Sequence, residues 1–316
     1  MAKKKGFTDA MREKLKGSRL GRVIRGMGRT TLSVTNATAL RLYLATEERR
    51  SRRAHAAPDI RDAAGTAAMV AHVFYADLVD EILACHALLP ERSPLHVTAP
   101  PALAAELVPR LSTVPGAVLH IIENRGRDIA PFLSVLKSGA LDPHRPVLKL
   151  HTKRSPHLPH GDLLRRAMFA SLAGYPEVVD RILKIFADPN VGMVGWRRVF
   201  MTSERYWYTN KQRVESLAER LVPPAEPRIA FFGGSMFWFR PDSLASIATL
   251  DIGSDDFEAE AGQIDGTLHH ALERCFAIGA TARGYAVVDT KGARLLGAIE
   301  RPSDACGNAA GAGSDG

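Results

Sequence analysis

The segment 123–128 carries residue types that suit the binding of a phosphorylated ligand. Arg125 and Arg127 present forked guanidinium donors that match phosphate oxygens, and the glycine between them permits a tight turn. Asp128 comes next and is expected to cap a helix, whose N-terminus adds a favourable field for an anion. The alternative is a polar turn with an Asp cap and solvated arginines.

A second cationic cluster ends a predicted strand. Side chains alternate along a strand, so Lys149, His151 and Lys153 share one face. Cations that enter the interior of a sheet require an anionic partner to offset their desolvation. A diphosphate would supply that charge, so we expect these side chains to bind one. The alternative is a strand end that emerges into water, where the same side chains are hydrated.

Carboxylates that could transfer protons are concentrated in 255–270. Asp265 and His269 are one helical turn apart in a predicted helix, so we expect them to face the same way and interact. The alternative role for Asp265 is to stabilise the helix N-terminus, where acidic groups are favoured.

A glycine pair and an aromatic run form the fourth group. Gly233 and Gly234 allow a ligand to approach the backbone, and Trp238 is suited to stacking on the apolar face of a sugar ring. Phe237 and Phe239 are expected instead to pack in a buried strand. The sequence contains no nucleophile elbow, Walker loop, dinucleotide fingerprint or zinc motif.

These groups need a sheet to position them. The chain alternates short apolar runs with helical stretches, which predicts an α/β fold with a mostly parallel sheet covered by helices. Ligands of such sheets bind beyond the carboxyl ends of the strands. The predicted strands are 69–75, 94–98, 118–122, 147–151, 191–196, 229–240 and 286–288, and the predicted helices are 78–86, 102–111, 129–136, 162–172, 177–187 and 263–276.

Composition indicates a globular protein with a basic N-terminal arm. The chain is 46% hydrophobic and 24% charged, which argues against disorder throughout. The net charge of +8 is local, because residues 1–53 contain 15 Lys or Arg against 4 Asp or Glu and the remainder contains 27 against 30. Cations next to leucines favour an anionic membrane surface, and the alternatives are an RNA-binding arm or a solvated leader.

The predicted organisation has three parts. Residues 1–63 form the basic arm, helical or disordered, and a linker; 64–300 form the α/β domain; and 301–316 form a disordered tail. No apolar run reaches the roughly 18 residues of a membrane span, and the basic start has no apolar segment behind it that would indicate a secretory signal. The three cysteines fit no metal-ligand spacing, which favours a reducing compartment without disulfides.

Four strings in the chain recur together in a known family. They are NRGRDIAPF at 124–132, KLHTK at 149–153, GSMFW at 234–238 followed by RP at 240–241, and EAGQIDGT at 260–267 followed by HALER at 270–274. In these strings the chain resembles the rhamnan synthesis protein F family of bacterial polysaccharide glycosyltransferases. The resemblance covers roughly residues 67–290 and leaves out the basic arm.

The resemblance implies a GT-A-like, Rossmann-type fold and a transferase that moves rhamnose or a related deoxyhexose from a dTDP- or GDP-sugar to a growing glycan. GT-A enzymes ordinarily carry an Asp-x-Asp near the end of the fourth strand, where a divalent metal bridges the diphosphate. At the equivalent place this chain has Lys149, His151 and Lys153, so we expect fixed cations to replace the metal. No cofactor is firmly expected, and Mg or Mn with Asp128 or His151 as a ligand is left open.

The resemblance also assigns roles to residues. An inverting transfer needs a base, and related folds place an acid near the start of this late helix, so Asp265 is the first choice, before Glu260 and Glu258. His72 and Tyr75 follow the first strand, where such folds hold the nucleotide base. The expected donor-binding residues are Asn124, Arg125, Arg127, Asp128, Lys149, His151, Lys153, His72 and Tyr75, and the expected acceptor-binding residues are Gly234, Trp238 and His269.

Together these expectations describe a cytoplasmic enzyme, peripheral to the inner membrane, which holds an anionic membrane surface through residues 1–53 and uses a lipid-linked oligosaccharide as acceptor. Nucleic acid is not an expected partner, because the chain outside the arm is close to neutral and has no nucleic-acid motif. The alternative is a catalytically inactive transferase fold that binds glycan or scaffolds a polysaccharide assembly complex.

Overall fold

The computed structural model describes residues 37–53, 67–152, 154–155, 160–263 and 265–297. These residues belong to two compact units. The smaller unit contains 37–53 and the described part of 154–170, and the larger unit contains the other described residues.

Helix α1, residues 37–53, lies in the smaller unit. Its Leu40 side chain is buried, whereas Leu42 is 64% exposed. Of these two leucines in the predicted membrane-binding arm, only Leu42 is therefore accessible to a partner. The rest of the arm, 1–36, and the predicted tail, 301–316, lie outside the described residues.

Helices and strands alternate from residue 68 to residue 173, and after that helices or strands also follow one another directly. The helices are α2 Val79–His86, α3 Ala104–Leu111, α4 Ile129–Lys137, α5 Gly161–Ala173, α6 Pro176–Ile185, α7 Lys211–Glu219, α8 Ala245–Ala248 and α9 Leu268–Ala282. The strands are β1 Ala68–His72, β2 Leu95–Ala99, β3 Ala117–Ile121, β4 Val147–His151, β5 Val191–Gly195, β6 Phe200–Met201, β7 Phe231–Phe232, β8 Phe237–Phe239, β9 Ala286–Asp289 and β10 Arg294–Leu296. Within the described residues, no helix combines the length and apolar character that a membrane span requires.

An eight-stranded sheet organises the larger unit, in the order β10-β9-β5-β8-β4-β1-β2-β3. Strands β4, β1, β2 and β3 run parallel to one another, and β5 and β9 form a second parallel pair. β8 runs antiparallel between β4 and β5, and β10 is antiparallel to β9. β6 and β7 form a separate antiparallel pair. The predicted α/β class, with a mostly parallel sheet and helices, is confirmed.

The central strands form from nearly continuous apolar runs. Every residue of β1, β2, β4 and β5 is buried, as parallel strands covered on both faces require. β3 lies at one edge of the sheet, and its residues are half-buried or exposed.

An aromatic cluster joins helices α4 and α9 to one face of this sheet. The ring centroid of Phe132 in α4 lies 5.5 Å from that of Phe239 and 5.6 Å from that of Phe276, both edge to face. Phe237 is 5.5 Å from Phe276. The prediction that Phe237 and Phe239 pack in a buried strand is confirmed, and this packing holds α4 and α9 against the sheet.

Two predicted strands differ from the structure by more than one residue at an end. β1 ends at His72 rather than at residue 75. The predicted strand 229–240 is two short strands, β7 and β8, because the chain turns between them at Gly234 and Ser235, whose φ angles are +91° and +52°. This turn brings the start of β8 to the carboxyl end of β4, with which β8 pairs.

Candidate active site

The candidate site lies at the carboxyl ends of β1 and β4. These strands are parallel neighbours, so His72 and His151 are paired at their last positions. Just beyond, the Thr152 hydroxyl accepts hydrogen bonds from the backbone amides of Phe74 (2.9 Å) and Tyr75 (3.0 Å). These bonds fix the chain where it leaves β1, at the edge of the sheet where α/β folds bind their ligands.

Lys149 lies on the same face as His151, and its ammonium is buried. Nζ donates to Asp128 Oδ2 (2.6 Å), to the Ser235 carbonyl (2.8 Å) and to the Ser235 hydroxyl (2.9 Å). The side chain is only 2% exposed. The expectation that Lys149 presents its charge to an external diphosphate is therefore corrected: the anion that offsets its desolvation is the Asp128 carboxylate.

Asp128 immediately precedes α4, yet its side chain does not cap that helix, contrary to expectation. The carboxylate faces β4 instead, with Oδ2 bound to Lys149 and Oδ1 3.8 Å from His151 Nδ1. Burial alone would raise the pKa of the Asp128 carboxyl, but the charges of His151 and Lys149 outweigh burial and hold that pKa far below its usual range. Asp128 is the ionised centre of the site.

His151 is held from both sides. Its Nε2 donates to the Gly234 carbonyl (2.8 Å), which requires a proton on that nitrogen and directs Nδ1 towards Asp128. The Gly234 amide in turn donates to Glu273 Oε1 (2.8 Å) from helix α9. The predicted glycine thus acts through its backbone, which ties the β7–β8 turn to His151 and to α9.

His72 reaches the same centre from the end of β1. Its Nδ1 lies 3.0 Å from the Thr98 hydroxyl, and its buried Nε2 has no hydrogen-bond partner. Burial lowers the pKa of His72 to about 4, so the ring is uncharged at neutral pH. A buried ring nitrogen without a partner is uncommon, and it marks a position where a ligand or a water would add a hydrogen bond.

Arg125 and Arg127 stay accessible, with 41% and 40% of their side chains exposed. Arg125 Nη1 donates weakly to the Phe257 carbonyl at 3.4 Å. Arg127 lies 3.4 Å from Glu260 Oε2 and also donates to the Gln263 carbonyl. Exposed guanidinium groups at the edge of the sheet remain suited to phosphate oxygens.

Gly126 makes the turn between these arginines feasible. Its φ is +61°, and a Cβ atom there would lie 2.4 Å from Phe257 Cδ1 and 2.7 Å from Ala130 Cβ. Arg127 also has a positive φ, +54°, which is uncommon for a residue with a side chain. The surrounding packing therefore holds a strained backbone in this loop.

The late helix begins later than predicted. α9 starts at Leu268, and Gly266, with a φ of +85°, lies in the segment before it. Asp265 is therefore outside the helix, and its expected pairing with His269 on one helical face is wrong. The buried His269 ring lies 3.0 Å from the Thr267 hydroxyl instead.

The Asp265 carboxylate is an anchor for another segment of the chain. It accepts hydrogen bonds from the Thr209 amide and hydroxyl (both 3.0 Å), from Asn210 Nδ2 (2.5 Å) and from Arg274 (3.3 Å). Burial alone would raise the pKa of Asp265, but these hydrogen bonds and the charge of Arg274 lower it. A carboxylate held in this way is a weak proton acceptor.

Glu258 and Glu260 differ in what their oxygens contact. Glu258 accepts from the Leu268 amide (2.9 Å) and from Arg213 (2.5 Å), so it satisfies the start of α9. Burial would raise the pKa of Glu258, but these donors hold it below its usual range. Glu260 contacts Arg127 through Oε2 only, and its Oε1 is buried without a hydrogen-bond partner.

Two adjacent imidazoles complete this side of the site. The ring centroids of His269 and His270 are 4.1 Å apart, and both rings contact the Thr267 hydroxyl. Burial, together with the charge of Arg127, lowers the pKa of His269 to about 3 and that of His270 to about 4. Both rings are therefore neutral near pH 7.

Trp238 cannot stack on a sugar, contrary to expectation. It is 0% exposed, and its Nε1 donates to the Leu172 carbonyl (2.9 Å). Trp238 pairs with Leu148 across β4 and β8, so it lies on the face of the sheet opposite to Lys149. Its role is in the core.

The remaining predicted residues differ in how far the structure describes them. Asn124 is exposed beside the arginines, and Tyr75 is half-buried just after β1. Lys153 lies outside the described residues. Sequence reasoning missed Ser235 and Glu273, although both belong to the strings that carry the family resemblance.

The residues at the end of β4 do not fit a resident divalent ion. In the part of the chain that the structure describes, no group of three His, Cys, Asp or Glu side chains could hold a metal. Lys149 and His151 occupy the place where the resemblance implies a metal-binding carboxylate pair, and the Asp128 carboxylate is already paired with Lys149.

Comparison with known proteins gives three findings. The chain matches the rhamnan synthesis protein F family over residues 44–285. Two relatives, both called uncharacterized protein WxcX, from Xanthomonas campestris pv. campestris strains B100 and ATCC 33913, are 33% identical over 254 residues. These matches cover 78% of this chain and 36% of each relative, so the chain spans about a third of their length.

Crystal structures of S. aureus TarS 1–349, alone and in complex with UDP-GlcNAc, are similar at 10% identity with TM-scores of 0.40 and 0.39. They cover 73% of this chain and 59% and 57% of the TarS chain. The family match, in contrast, takes in more than half of the chain and all four of the strings found in the sequence. The chain belongs to the rhamnan synthesis protein F family.

Proposed function

We propose that the chain is a GT-A-like, inverting glycosyltransferase that moves rhamnose or a related deoxyhexose from a nucleotide diphosphate donor to a lipid-linked glycan of a cell-surface polysaccharide. The observation that carries the proposal is the convergence of four segments on the buried Asp128–Lys149 pair: the ends of β1 and β4, the loop 124–128 and the turn 233–235. They meet at the edge of the sheet where α/β folds bind ligands. Membership of a polysaccharide-synthesis family supports the same function.

In this proposal Arg125 and Arg127 bind the diphosphate. Their guanidinium groups are exposed and lie just before the N-terminus of α4, where an anion is favoured. Charge grows on the diphosphate as the sugar leaves, and donors fixed in advance stabilise it without reorganisation. Lys149 and His151 support this loop through Asp128 rather than bind phosphate themselves. Asn124, His72 and Tyr75 stay as predicted donor contacts.

Glu260 replaces Asp265 as the proposed base. A base needs a lone pair that the protein does not already use, and Glu260 Oε1 has no hydrogen-bond partner, whereas both oxygens of Asp265 accept hydrogen bonds from the protein. Arg127 beside Oε2 holds the Glu260 carboxylate near the proposed diphosphate site.

Donor binding is the first test. We would measure the thermal unfolding midpoint with dTDP-rhamnose, GDP-rhamnose and UDP-GlcNAc, with and without a chelator, because a ligand that binds the folded state raises the midpoint. Arg125→Gln should remove most of the increase. Arg110→Gln, which removes a half-buried arginine that pairs with Asp80 on α2, is the matched control and should keep the increase. If no nucleotide sugar shifts the wild-type midpoint, the proposed function is wrong.

The base is tested by transfer rate. Glu260→Gln should lower kcat by about 10²- to 10⁴-fold, the usual contribution of general base catalysis, and leave donor affinity close to that of the wild type. Asp265→Asn should mainly lower thermal stability, because it loses an anchor for Thr209 and Asn210. Normal transfer by Glu260→Gln would contradict the assignment, and donor binding without transfer in the wild type would favour the scaffold alternative.

We also propose that the basic arm holds the enzyme on an anionic membrane surface. Residues 1–36 contain 10 of the 15 Lys and Arg of 1–53, and their removal leaves helix α1 in place. The full chain should sediment with phosphatidylglycerol vesicles and not with phosphatidylcholine vesicles, and the shortened chain should sediment with neither. Binding of the shortened chain to anionic vesicles would contradict the role of the arm.

A further inference from the structure

Tyr208 is an exposed aromatic residue held in a strained backbone conformation. It is 64% exposed, and its φ and ψ are +46° and −120°. This combination is disfavoured for a residue with a Cβ atom, because the side chain crowds the backbone. Strain of this kind persists only where neighbouring contacts impose it, and it is concentrated at functional sites.

The contacts that impose the strain come from both sides of Tyr208. Thr209 donates twice to Asp265, and Arg274 donates twice to the Tyr206 carbonyl, at 3.0 and 2.8 Å. Arg274 Nη2 lies 3.3 Å from Asp265 Oδ1, so these two residues form an ion pair. One ion pair therefore fixes the segment before and after Tyr208 and leaves its ring outside.

The ring also has aromatic and cationic neighbours that limit its movement. Tyr206 lies edge-on to it, with ring centroids 6.2 Å apart. The Arg274 guanidinium carbon lies 6.0 Å from the centroid of Tyr208 and 5.0 Å from that of Phe231. Tyr206 and Arg274 therefore flank the exposed ring.

This segment leads directly into α7, which borders an open cavity of about 270 Å³. Arg213 on the cavity wall pairs with Glu258, and Leu268 on the same wall donates its amide to Glu258. The accessible surface of the cavity is mainly apolar, although four of its six lining residues, Gln212, Arg213, Ser216 and Arg220, have polar groups; Leu217 and Leu268 complete the lining.

A carbohydrate matches this combination of surfaces. A sugar ring has an apolar face that stacks on an aromatic ring and hydroxyl groups at its rim that bind polar side chains. We propose that Tyr208 is the stacking platform for a sugar unit of the acceptor glycan, with the α7 cavity as the continuation of that subsite. The inference rests on the proposed glycosyltransferase function and names a part of its acceptor site. It also gives Asp265 a role, the positioning of the platform.

The test compares two substitutions of Tyr208 in the full chain. Tyr208→Gly removes the ring and also relieves the positive φ, so its thermal midpoint should equal or exceed that of the wild type. Tyr208→Phe keeps the ring and removes only the hydroxyl. Binding of a rhamnose tetrasaccharide is measured by calorimetric titration for the wild type and both variants.

We expect Tyr208→Gly to weaken tetrasaccharide binding by about fivefold to tenfold, the usual effect of losing one aromatic contact, and Tyr208→Phe to bind as the wild type does. Four results would each overturn the inference. They are unchanged tetrasaccharide affinity in Tyr208→Gly, equal weakening in both variants, a lower thermal midpoint in Tyr208→Gly, and no saturable tetrasaccharide binding by the wild type. The midpoint shift with dTDP-rhamnose is measured on the same samples. It reports on the proposed function separately, because Tyr208 is not placed in the donor site.

Discussion

Replacing Lys149 by methionine tests whether the buried ion pair organises the site. Lys149→Met keeps most of the side-chain volume but removes the ammonium 2.6 Å from Asp128 Oδ2. Breaking a buried pair typically costs about 3–5 kcal/mol, because the remaining charge is buried without its partner. His151 still faces the other carboxylate oxygen at 3.8 Å and compensates in part. We therefore expect the free energy of unfolding to fall by about 3 kcal/mol, the lower end of that range.

The assay is urea unfolding near neutral pH for the wild type, Lys149→Met, Asp128→Leu and the double variant. Each single variant leaves one buried charge, whereas the double variant leaves neither. Apolar replacement of both members of a buried pair is often close to neutral, so the double variant should come within about 1 kcal/mol of the wild type. The reasoning would be refuted if Lys149→Met lost less than about 1 kcal/mol of unfolding free energy, the value typical of an exposed pair. It would also be refuted by a double variant that is less stable than both single variants.

The same pair predicts how the effect changes with pH. The pKa of Asp128 is lower in the folded than in the unfolded chain, so its stabilising contribution is fully present above the unfolded pKa and is lost as the pH falls towards the folded pKa. Lys149→Met raises the pKa of Asp128 in the folded chain. As the pH falls, Asp128 is therefore protonated at a higher pH in the variant than in the wild type, and its uncompensated charge disappears. The stability difference between variant and wild type should therefore narrow on acidification. A constant difference would contradict this explanation.

Three further predictions concern the core and the loop of the site. In urea unfolding, Gly126→Ala should lose at least about 2 kcal/mol more stability than Gly262→Ala. Both positions have a positive φ (+61° and +72°), but only Gly126 lacks room for a Cβ atom. Equal losses in the two variants would rule out crowding as the cause. The folded pKa of His72 is about 4 against 6.5, so the unfolded chain binds more protons between these values and stability should fall by up to about 3 kcal/mol as the pH drops through that window. His72→Gln should flatten this slope, and an unaltered slope would assign it to other groups. Trp238→Phe should lower stability by about 2–3 kcal/mol, because it leaves a gap and an unpaired Leu172 carbonyl. The KM for the acceptor should not change. A raised KM for the acceptor in a variant of full stability would support the stacking role of Trp238 instead.

The sheet could be predicted from the sequence because its central strands are nearly unbroken apolar runs separated by helical stretches. Strand alternation also placed Lys149 and His151 on one face, as the structure confirms through their shared contact with Asp128. The partner of Lys149 could not be predicted in the same way, because Asp128 is 21 residues away in sequence and meets it only through the packing of α4 on the sheet. The cationic side chains of one strand therefore suggested that an external diphosphate binds Lys149, whereas the anion beside Lys149 is the Asp128 carboxylate of the protein itself.

The start of the late helix shows a second limit. Asp265 lies three residues before Leu268, a spacing typical of a first helical turn, but Gly266 adopts a φ of +85° and the helix begins after it. Two partners of Asp265, Thr209 and Asn210, are more than 50 residues away, in a segment for which the sequence suggested no contact with Asp265. Periodicity reports the face that a residue would occupy in a helix, and not whether the backbone adopts the helix at that residue.

The reversed direction of β8 has a consequence for how the site tolerates change. Because β8 runs antiparallel to β4, the turn before β8, rather than its end, meets the last residues of β4. The main-chain carbonyls of Gly234 and Ser235 accept hydrogen bonds from His151 and Lys149. A carbonyl is the same in every residue type, so a side-chain replacement that keeps the positive φ angles of Gly234 and Ser235 preserves these two acceptors. Loss or gain of a single residue there would shift both of them at once, so we expect the length of the turn to be under stronger constraint than its composition.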